Sequence, residues 1–188
     1  GSMNTKGRGF LIANGLAGCC VWGMCQVADA RQWTNDKGQQ IDPAGFEAFV
    51  ELLPTAHAGR RLRHVLDVRD PAFITPDYLA LARRHGMATV ITDSSEYPSF
   101  ADVTADFVYA RLMRSQPGIE TGYAAADLDA WSKRAREWSG GGDPDDLPHV
   151  ETVRHANPPR DVFLYFISSA KERNPAAAVA LLKRLGLA

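Results

Sequence analysis

The sequence predicts an α/β fold built from parallel βαβ units. Short apolar runs rich in β-branched residues alternate with amphipathic helical patterns, and the connections between most of them are short. The 188 residues carry a formal net charge of -1 and 45% hydrophobic residues, which is typical of a globular protein with one core. A net charge this close to zero gives no global attraction to nucleic acid or to an anionic membrane surface.

The regular alternation begins at Asp42-Pro43, which offers a helix N-cap followed by a proline at the first helical position. An apolar stripe at i, i+3, i+4 and i+7 follows, formed by Phe46, Phe49, Val50 and Leu53. Pro54 ends this helix, and the run over residues 64–68 predicts the first strand.

The same alternation continues to the end of the chain. It predicts strands over residues 88–92, 107–112 and 162–167, and helices over 75–86, 124–138 and 174–186. A segment over 139–160 with three consecutive glycines and four prolines interrupts the rhythm and predicts a long mobile loop. Because this loop joins a helix to a strand, it belongs at the amino-terminal ends of the strands, away from the usual ligand-binding edge, and we interpret it as a linker.

The first 40 residues do not follow this pattern. Gly1-Ser2-Met3 resembles an expression scar, and residues 4–40 form an altered N-terminal segment ahead of an α/β domain over 41–188. The apolar run over 10–27 follows two basic residues, as in a secretory signal, but its glycines and Asn14 make it a poor one. A degenerate piece of the fold is the preferred interpretation.

The three cysteines, Cys19, Cys20 and Cys25, are clustered in this segment. An odd, clustered set does not form a disulfide framework, and this favours a reducing cytoplasm. Zinc is not favoured, because a structural zinc ion normally needs four ligands and no histidine lies nearby. We therefore expect buried or incidental thiols.

Several stretches from residue 42 onward resemble one family. Residues 62–73 look like its strand end with an acid-x-Arg pattern and a following aromatic residue, and residues 104–112 match its most recognisable strand. Its next helix and its final strand are matched by Tyr123, Leu128, Trp131 and residues 161–166. We identify this region as similar to the YecE-like family, the bacterial domain of unknown function 72, whose members form TIM-like barrels.

The resemblance implies an incomplete barrel of about four or five parallel strands, with its N-terminal half missing or altered. The family usually has Glu at the position of Asp67, His at that of Asp70, and Asn near Ser168. So few strands cannot close an eight-stranded barrel. Residues 4–40, another molecule, or curling into an open sheet must cover the two edges. We expect a homodimer or other homo-oligomer; the rival is a monomer whose N-terminal segment shields an edge.

Polar side chains concentrate at the predicted carboxyl ends of the strands, where parallel folds bind ligands. Two are candidate catalytic residues, and five are candidate ligand-binding residues: Asp67 and Asp93, then Arg69, Tyr109, Arg111, Ser168 and Lys171. A carboxylate there can act as a general base, and guanidinium groups bind phosphate or carboxylate through two hydrogen bonds. The alternative is a buried ion-pair network that only fixes the register of the strands.

Other classes of chemistry receive no support from sequence motifs. The five histidines show no metal-ligand spacing, so no metal site is predicted. Fingerprints for nucleotides or for a serine nucleophile are missing, so no cofactor is predicted. The one basic concentration consists of Arg60, Arg61, Arg63, Arg83 and Arg84. It fits either contact with a nucleic-acid backbone or, preferably, a solvated face beside acidic residues.

The sequence therefore favours a cytoplasmic protein, with no membrane partner, that binds or hydrolyses a small phosphorylated or other anionic ligand at the carboxyl ends of its strands. Whether it is an enzyme stays open. One alternative is a non-catalytic scaffold that acts through self-association, and another is a nuclease-like barrel that binds nucleic acid. The resemblance supplies a fold more than a function.

Overall fold

The computed structural model describes residues 10–14, 25–29, 43–152 and 157–188, and for the first two ranges and Pro43 it describes the backbone only. Six strands form one parallel sheet: β1 (Phe10–Asn14), β2 (Cys25–Asp29), β5 (Arg63–Asp67), β6 (Ala88–Thr92), β7 (Phe107–Leu112) and β8 (Asp161–Phe166). Their order is β1-β8-β7-β6-β5-β2, and every neighbouring pair is parallel. This confirms the predicted α/β class and the incomplete parallel barrel, with six strands where about four or five were predicted.

A small antiparallel hairpin precedes β5. Its strands are β3 (Ala56–His57) and β4 (Arg60–Arg61), and the two residues between them, Ala58 and Gly59, have φ angles of 48° and 73°. Positive φ at both central positions is the requirement of the tightest hairpin turns, and it is easily met by glycine. The sequence pattern did not predict this hairpin.

The helices within the described residues are α1 (Pro43–Glu51), α2 (Pro76–Arg84), α3 (Ala125–Ser139) and α4 (Asn174–Leu185). Residues predicted to start or end a helix do so in α2 and α4. Thr75 caps α2, because its hydroxyl accepts a hydrogen bond from the Tyr78 amide at 3.2 Å. Gly186 ends α4 with a left-handed φ of 74°. Short 3-10 turns at Pro71–Phe73 and Lys171–Arg173 precede α2 and α4.

The strands bury both faces. Outward-pointing residues such as Leu112, Leu164 and Phe166 pack with Leu128 and Trp138 of α3 in the largest apolar cluster. Inward-pointing residues form a smaller cluster of Val65, Ala88, Val90, Phe107 and Tyr109, with Phe163 and Tyr165 half-buried beside it. This two-sided burial explains why the central strands read as nearly continuous apolar runs.

Both edges of the sheet formed by β5 to β8 receive a strand from the N-terminal segment. β1 pairs with β8 from Phe10↔Val162 to Asn14↔Phe166, and β2 pairs with β5 from Cys25↔Arg63 to Asp29↔Asp67. These ten residues are thus a piece of the fold, as preferred from the sequence. In the described ranges β1 and β2 do not pair with each other, so the barrel stays open there. The homodimer stays a prediction. The argument for it, two uncovered edges at β5 and β8, is weaker because β2 and β1 pair with them.

The predicted long loop contains no helix or strand in its described parts, 140–152 and 157–160. It is tied to the connection between β6 and β7, because Asp102 accepts hydrogen bonds from the amides of Val150 and Glu151 at 2.7 and 3.0 Å. Buried Arg160 donates to the carbonyls of Gly141 and Gly142 at 3.0 and 3.1 Å.

Some interpretations lie outside the described residues. They concern the scar Gly1-Ser2-Met3, the thiols of Cys19, Cys20 and Cys25, and the domain boundary near residue 40. Among the helices that the structure describes, none is long and apolar enough to cross a membrane.

Candidate functional site

Three of the predicted site residues meet at the carboxyl ends of β5 to β7. Asp67 ends β5, Arg69 follows it, and Arg111 lies near the end of β7, across β6. Arg69 donates through Nε to Asp67 Oδ1 and through Nη2 to Asp67 Oδ2, both at 2.8 Å. Arg111 donates through Nη1 to Asp67 Oδ2. One carboxylate thus holds two guanidinium groups, and we name this group the Asp67 cluster.

The Asp67 cluster is shielded from water. The side chains of Asp67, Arg69 and Arg111 are 6%, 13% and 18% exposed. The guanidinium carbon of Arg69 lies 4.0 Å from the ring centre of Tyr97, so this ring holds Arg69 by a cation–π contact. Among these three side chains, two cations share one anion. Arg111 Nε is buried and has no hydrogen-bond partner in the described part of the chain.

The recess at the Asp67 cluster is small. It has a volume of about 10 Å³ and is lined by Asp67, Arg69, Tyr97, Arg111 and Met113, among others. A space of this size holds about one water molecule. Only one oxygen-sized atom of a ligand therefore fits between these side chains.

Asp93, the second candidate catalytic residue, follows β6 and contacts a different set of groups. Its Oδ1 accepts from the Met113 amide at 2.6 Å, and its Oδ2 accepts from the Tyr123 hydroxyl at 2.7 Å. Burial raises the pKa of Asp93, and the bonds from Met113 and Tyr123 oppose this shift. Burial likewise raises the pKa of Tyr123, and the neighbouring Asp93 charge adds to the effect. Asp93 thus fastens the loop after β7 to the start of α3.

Ser168 belongs to a buried polar group that the sequence did not reveal. The Ser168 and Ser115 hydroxyls both donate to Asn174 Oδ1, at 2.8 and 2.9 Å. Asn174 is 3% exposed and begins α4, so it joins the loops after β7 and β8. The sequence pattern marked Asn174 only as a helix start. The burial of its side chain cannot be seen in a local pattern. Lys171 is exposed in the 3-10 turn nearby.

Tyr109 lies two residues before Arg111 on the same inward face of β7. Its ring stacks on Tyr165 of β8 with centres 4.9 Å apart and planes at 29°. Below it, the rings of Phe107 and Phe163 meet edge to face at 5.8 Å. Tyr109 therefore contributes an aromatic floor beneath the Asp67 cluster.

The basic concentration is largely neutralised. Four of its arginines form ion pairs, namely Arg61 with Asp106, Arg63 with Asp161, Arg83 with Glu151 and Arg84 with Glu47, at 3.2, 2.7, 2.7 and 2.5 Å. Pairing of this kind reduces the charge available to a phosphate backbone. Nucleic-acid binding stays a prediction with less support than before.

A second charged group lies at the opposite end of the sheet. Glu47, Glu51 and His85 place one ligand atom each within 4.8 Å of one another. The spacing of the histidines alone did not predict this group, because two of its three members are glutamates. The available signal was the four-residue interval from Glu47 to Glu51, which puts both carboxylates on one face of α1.

Comparison with solved structures gives the same fold. The chain resembles a DUF72 family protein from Enterococcus faecalis with a TM-score of 0.54 and 15% identity, covering 77% of this chain and 55% of that one. It resembles a DUF72 family protein from Thermotoga maritima with a TM-score of 0.53 and 16% identity, covering 76% and 51%. The chain thus spans about half the length of these structures. At this identity the likeness concerns the fold alone.

A search of curated proteins finds no significant match. The family model described as protein of unknown function DUF72 matches residues 33–188, which is most of the chain. The resemblance to the YecE-like family, which is this same family, is confirmed. The protein belongs to the DUF72 family.

Proposed function

We propose that the protein binds a small anionic ligand, through a phosphate or carboxylate group, at the Asp67 cluster. One observation carries the proposal: two largely buried guanidinium groups share a single carboxylate. Burial removes the hydration of a charged group, so two guanidinium groups in such a place favour a bound anion. A ligand anion would add negative charge beside them.

The buried Nε of Arg111 supports the same proposal. A buried donor without an acceptor costs about 1–3 kcal/mol, and Arg111 Nε has none in the residues described. A phosphate or carboxylate oxygen is a strong acceptor for a guanidinium N–H, and arginine presents its donors in a fixed planar fork. Tyr97 holds the plane of Arg69 in place, so part of the site is organised before the ligand arrives.

The size of the recess restricts the ligand. A recess of about 10 Å³ admits one oxygen-sized atom, so a phosphate or carboxylate would place a single oxygen there and the rest of the molecule would lie outside. Arg114 and Lys171 are exposed in the loops after β7 and β8. These two cations would favour a ligand with further negative charge at the same edge.

Binding has more support than hydrolysis. Both oxygens of Asp67 already accept hydrogen bonds from guanidinium groups, so its role in the proposal is to position Arg69 and Arg111. Asp93 is the remaining candidate base. It would first have to release the Met113 amide or the Tyr123 hydroxyl.

The test is a titration of the full chain, followed by amide-resolved NMR, with inorganic phosphate, a sugar phosphate and acetate as probes. We expect saturable shifts at Asp67, Arg69 and Arg111. The variant Arg69→Lys keeps the charge but loses the two-pronged hydrogen bond, so affinity should fall at least about tenfold.

The matched control is Arg134→Lys. Arg134 also donates through Nε and Nη2 to one aspartate, Asp146, and also lies over an aromatic ring, with its guanidinium carbon 4.5 Å from Trp131. It lies on α3, which packs on the outer face of the sheet. An unchanged affinity in Arg69→Lys, or an equal loss in Arg134→Lys, would show that the Asp67 cluster is not the site.

A further inference from the structure

The charged group at the amino-terminal ends of the strands has a composition suited to metal binding. Glu47 and Glu51 lie one turn apart on α1, and His85 caps the C-terminus of α2. One carboxylate oxygen from each glutamate and one ring nitrogen of His85 lie within 4.8 Å of one another. Two helices that are separate in sequence thus bring three side chains that can ligate a transition metal, two carboxylates and an imidazole, to one place.

A cavity of about 590 Å³ adjoins these residues. Glu51 and His85 line it together with His64, and its apolar lining includes Val50 and Met87. The cavity lies where β5 and β6 begin, so it is at the opposite end of the strands from the Asp67 cluster. A failure of either site would leave the other untouched.

His64 gives an independent indication of a ligand. It is only 6% exposed, and its Nε2 lies 2.7 Å from the carbonyl oxygen of Pro54. A carbonyl oxygen only accepts, so Nε2 carries the hydrogen and Nδ1 of the neutral ring is an acceptor. Nδ1 is buried and has no hydrogen-bond partner in the residues described. The side chain lines the same cavity, so a donor supplied from outside the chain would complete it.

We propose that Glu47, Glu51 and His85 bind a divalent transition-metal ion beside this cavity, whose lining includes His64, the ring whose Nδ1 has no partner among the described residues. Two carboxylates and an imidazole are suitable ligands for Zn²⁺ and leave a coordination position for water. Mg²⁺ prefers oxygen ligands in a strict octahedron, so it binds here much more weakly.

Without a metal, the same residues are held by a competing cation. Arg84 donates to Glu47 Oε1 at 2.5 Å, and His85 Nε2 lies 3.2 Å from the same oxygen. The hydrogen bonds from Arg84 and then His85 lower the pKa of Glu47, which keeps this carboxylate ionised. The Arg84 guanidinium is 56% exposed, so it can turn into solvent when a metal replaces it. Removing it should therefore favour the metal.

The experiment is isothermal titration of the full chain with ZnCl₂ and with MgCl₂. We expect one Zn²⁺ site and at least about tenfold weaker binding in His85→Gln and in Glu51→Gln. Arg84→Gln removes a competing positive charge and should bind Zn²⁺ more tightly than the wild type. His57→Gln is the control, because His57 is an exposed histidine on the β3–β4 hairpin outside the cluster.

Unchanged Zn²⁺ binding in His85→Gln and Glu51→Gln, or equal affinity for Mg²⁺ and Zn²⁺, would overturn the proposal. So would weaker binding in Arg84→Gln, since that result would mean that the ion-pair network, rather than a metal, is what these residues hold. All three changes are at partly or fully exposed positions, so we expect the variants to fold. Circular dichroism of each variant checks this.

Discussion

The two ends of the parallel sheet carry the same kinds of charged residues, but these side chains differ in how far they are exposed to water. At the carboxyl ends, the side chains of Asp67 and Arg69 are 6% and 13% exposed and bonded to each other. At the amino ends, the pair Arg61–Asp106 is 70% and 59% exposed. Water screens the second pair and barely reaches the first.

The difference indicates that burial, and not the number of charges, distinguishes the proposed anion site from the solvated arginine–aspartate pairs. A third pair lies between these limits: Arg63 and Asp161 are 27% and 28% exposed and bonded at 2.7 Å. Three arginine–aspartate pairs in or beside the parallel sheet thus form a graded series of exposure. If burial sets the strength of these pairs, the loss in the free energy of unfolding when the aspartate charge is removed should follow the same order.

The largest effect is expected for Asp67→Asn. It removes the carboxylate charge that Arg69 and Arg111 share in a site shielded from water. Removing one partner of a buried ion pair destabilises a protein by about 3 kcal/mol. Urea denaturation followed by fluorescence should show this decrease in the free energy of unfolding.

An added anion sharpens this prediction. If the Asp67 cluster binds phosphate, high phosphate concentrations should restore part of the lost stability in Asp67→Asn, and chloride at equal ionic strength should restore less. A loss below about 1 kcal/mol would mean that Asp67 is not a buried counter-ion, and the comparison between the two ends would fail.

The fold could be predicted from the sequence wherever its signal was local. β6 and β7 have the predicted bounds because their buried β-branched and aromatic residues form uninterrupted runs. β1 and β2 were not defined as strands, because each is five residues long and depends on pairing with a distant edge. Local patterns do not contain that information.

The residues of the candidate site were likewise predictable only where the signal was local. The position of Asp67, Arg69 and Arg111 at the carboxyl ends of strands followed from the strand bounds that the sequence predicts. Tyr97 and Asn174 were missed, because they act through contacts across loops, with Arg69 in one case and with Ser115 and Ser168 in the other. Only the packed chain shows these partners.

Asp161→Asn should have an intermediate effect. It removes the counter-ion of Arg63, whose guanidinium carbon also lies 5.0 and 4.8 Å from the ring centres of Phe107 and Phe163. These rings continue to hold the cation, so the expected loss is about 1.5 kcal/mol. The same denaturation assay measures it. A loss as large as that of Asp67→Asn would show that burial does not order the series.

Asp93 gives a test through pH. Burial raises its pKa in the folded protein, so the folded state binds more protons than the unfolded state from about pH 4 upward. Stability from this group is therefore present at low pH and is lost as pH rises through its folded pKa.

Comparison with Asp93→Asn isolates this contribution, since other carboxylates titrate equally in both proteins. The stability of the wild type minus that of the variant should fall as pH rises from 4 toward neutrality. A difference that rises with pH would mean that the bonds from Met113 and Tyr123 outweigh burial. Denaturation curves at several pH values measure the sign.

The smallest effect is expected for Asp106→Asn. Its partner Arg61 is held at 3.2 Å by a single hydrogen bond, and both side chains are mostly exposed. Exposed pairs contribute less than about 1 kcal/mol, and salt screens what remains. The free energy of unfolding should therefore change by less than the loss in Asp161→Asn, and the change should shrink further in high salt. A loss that matched Asp67→Asn and persisted in salt would mean that the amino end is as strongly coupled as the carboxyl end, and exposure could no longer be used to choose between the two as a binding site.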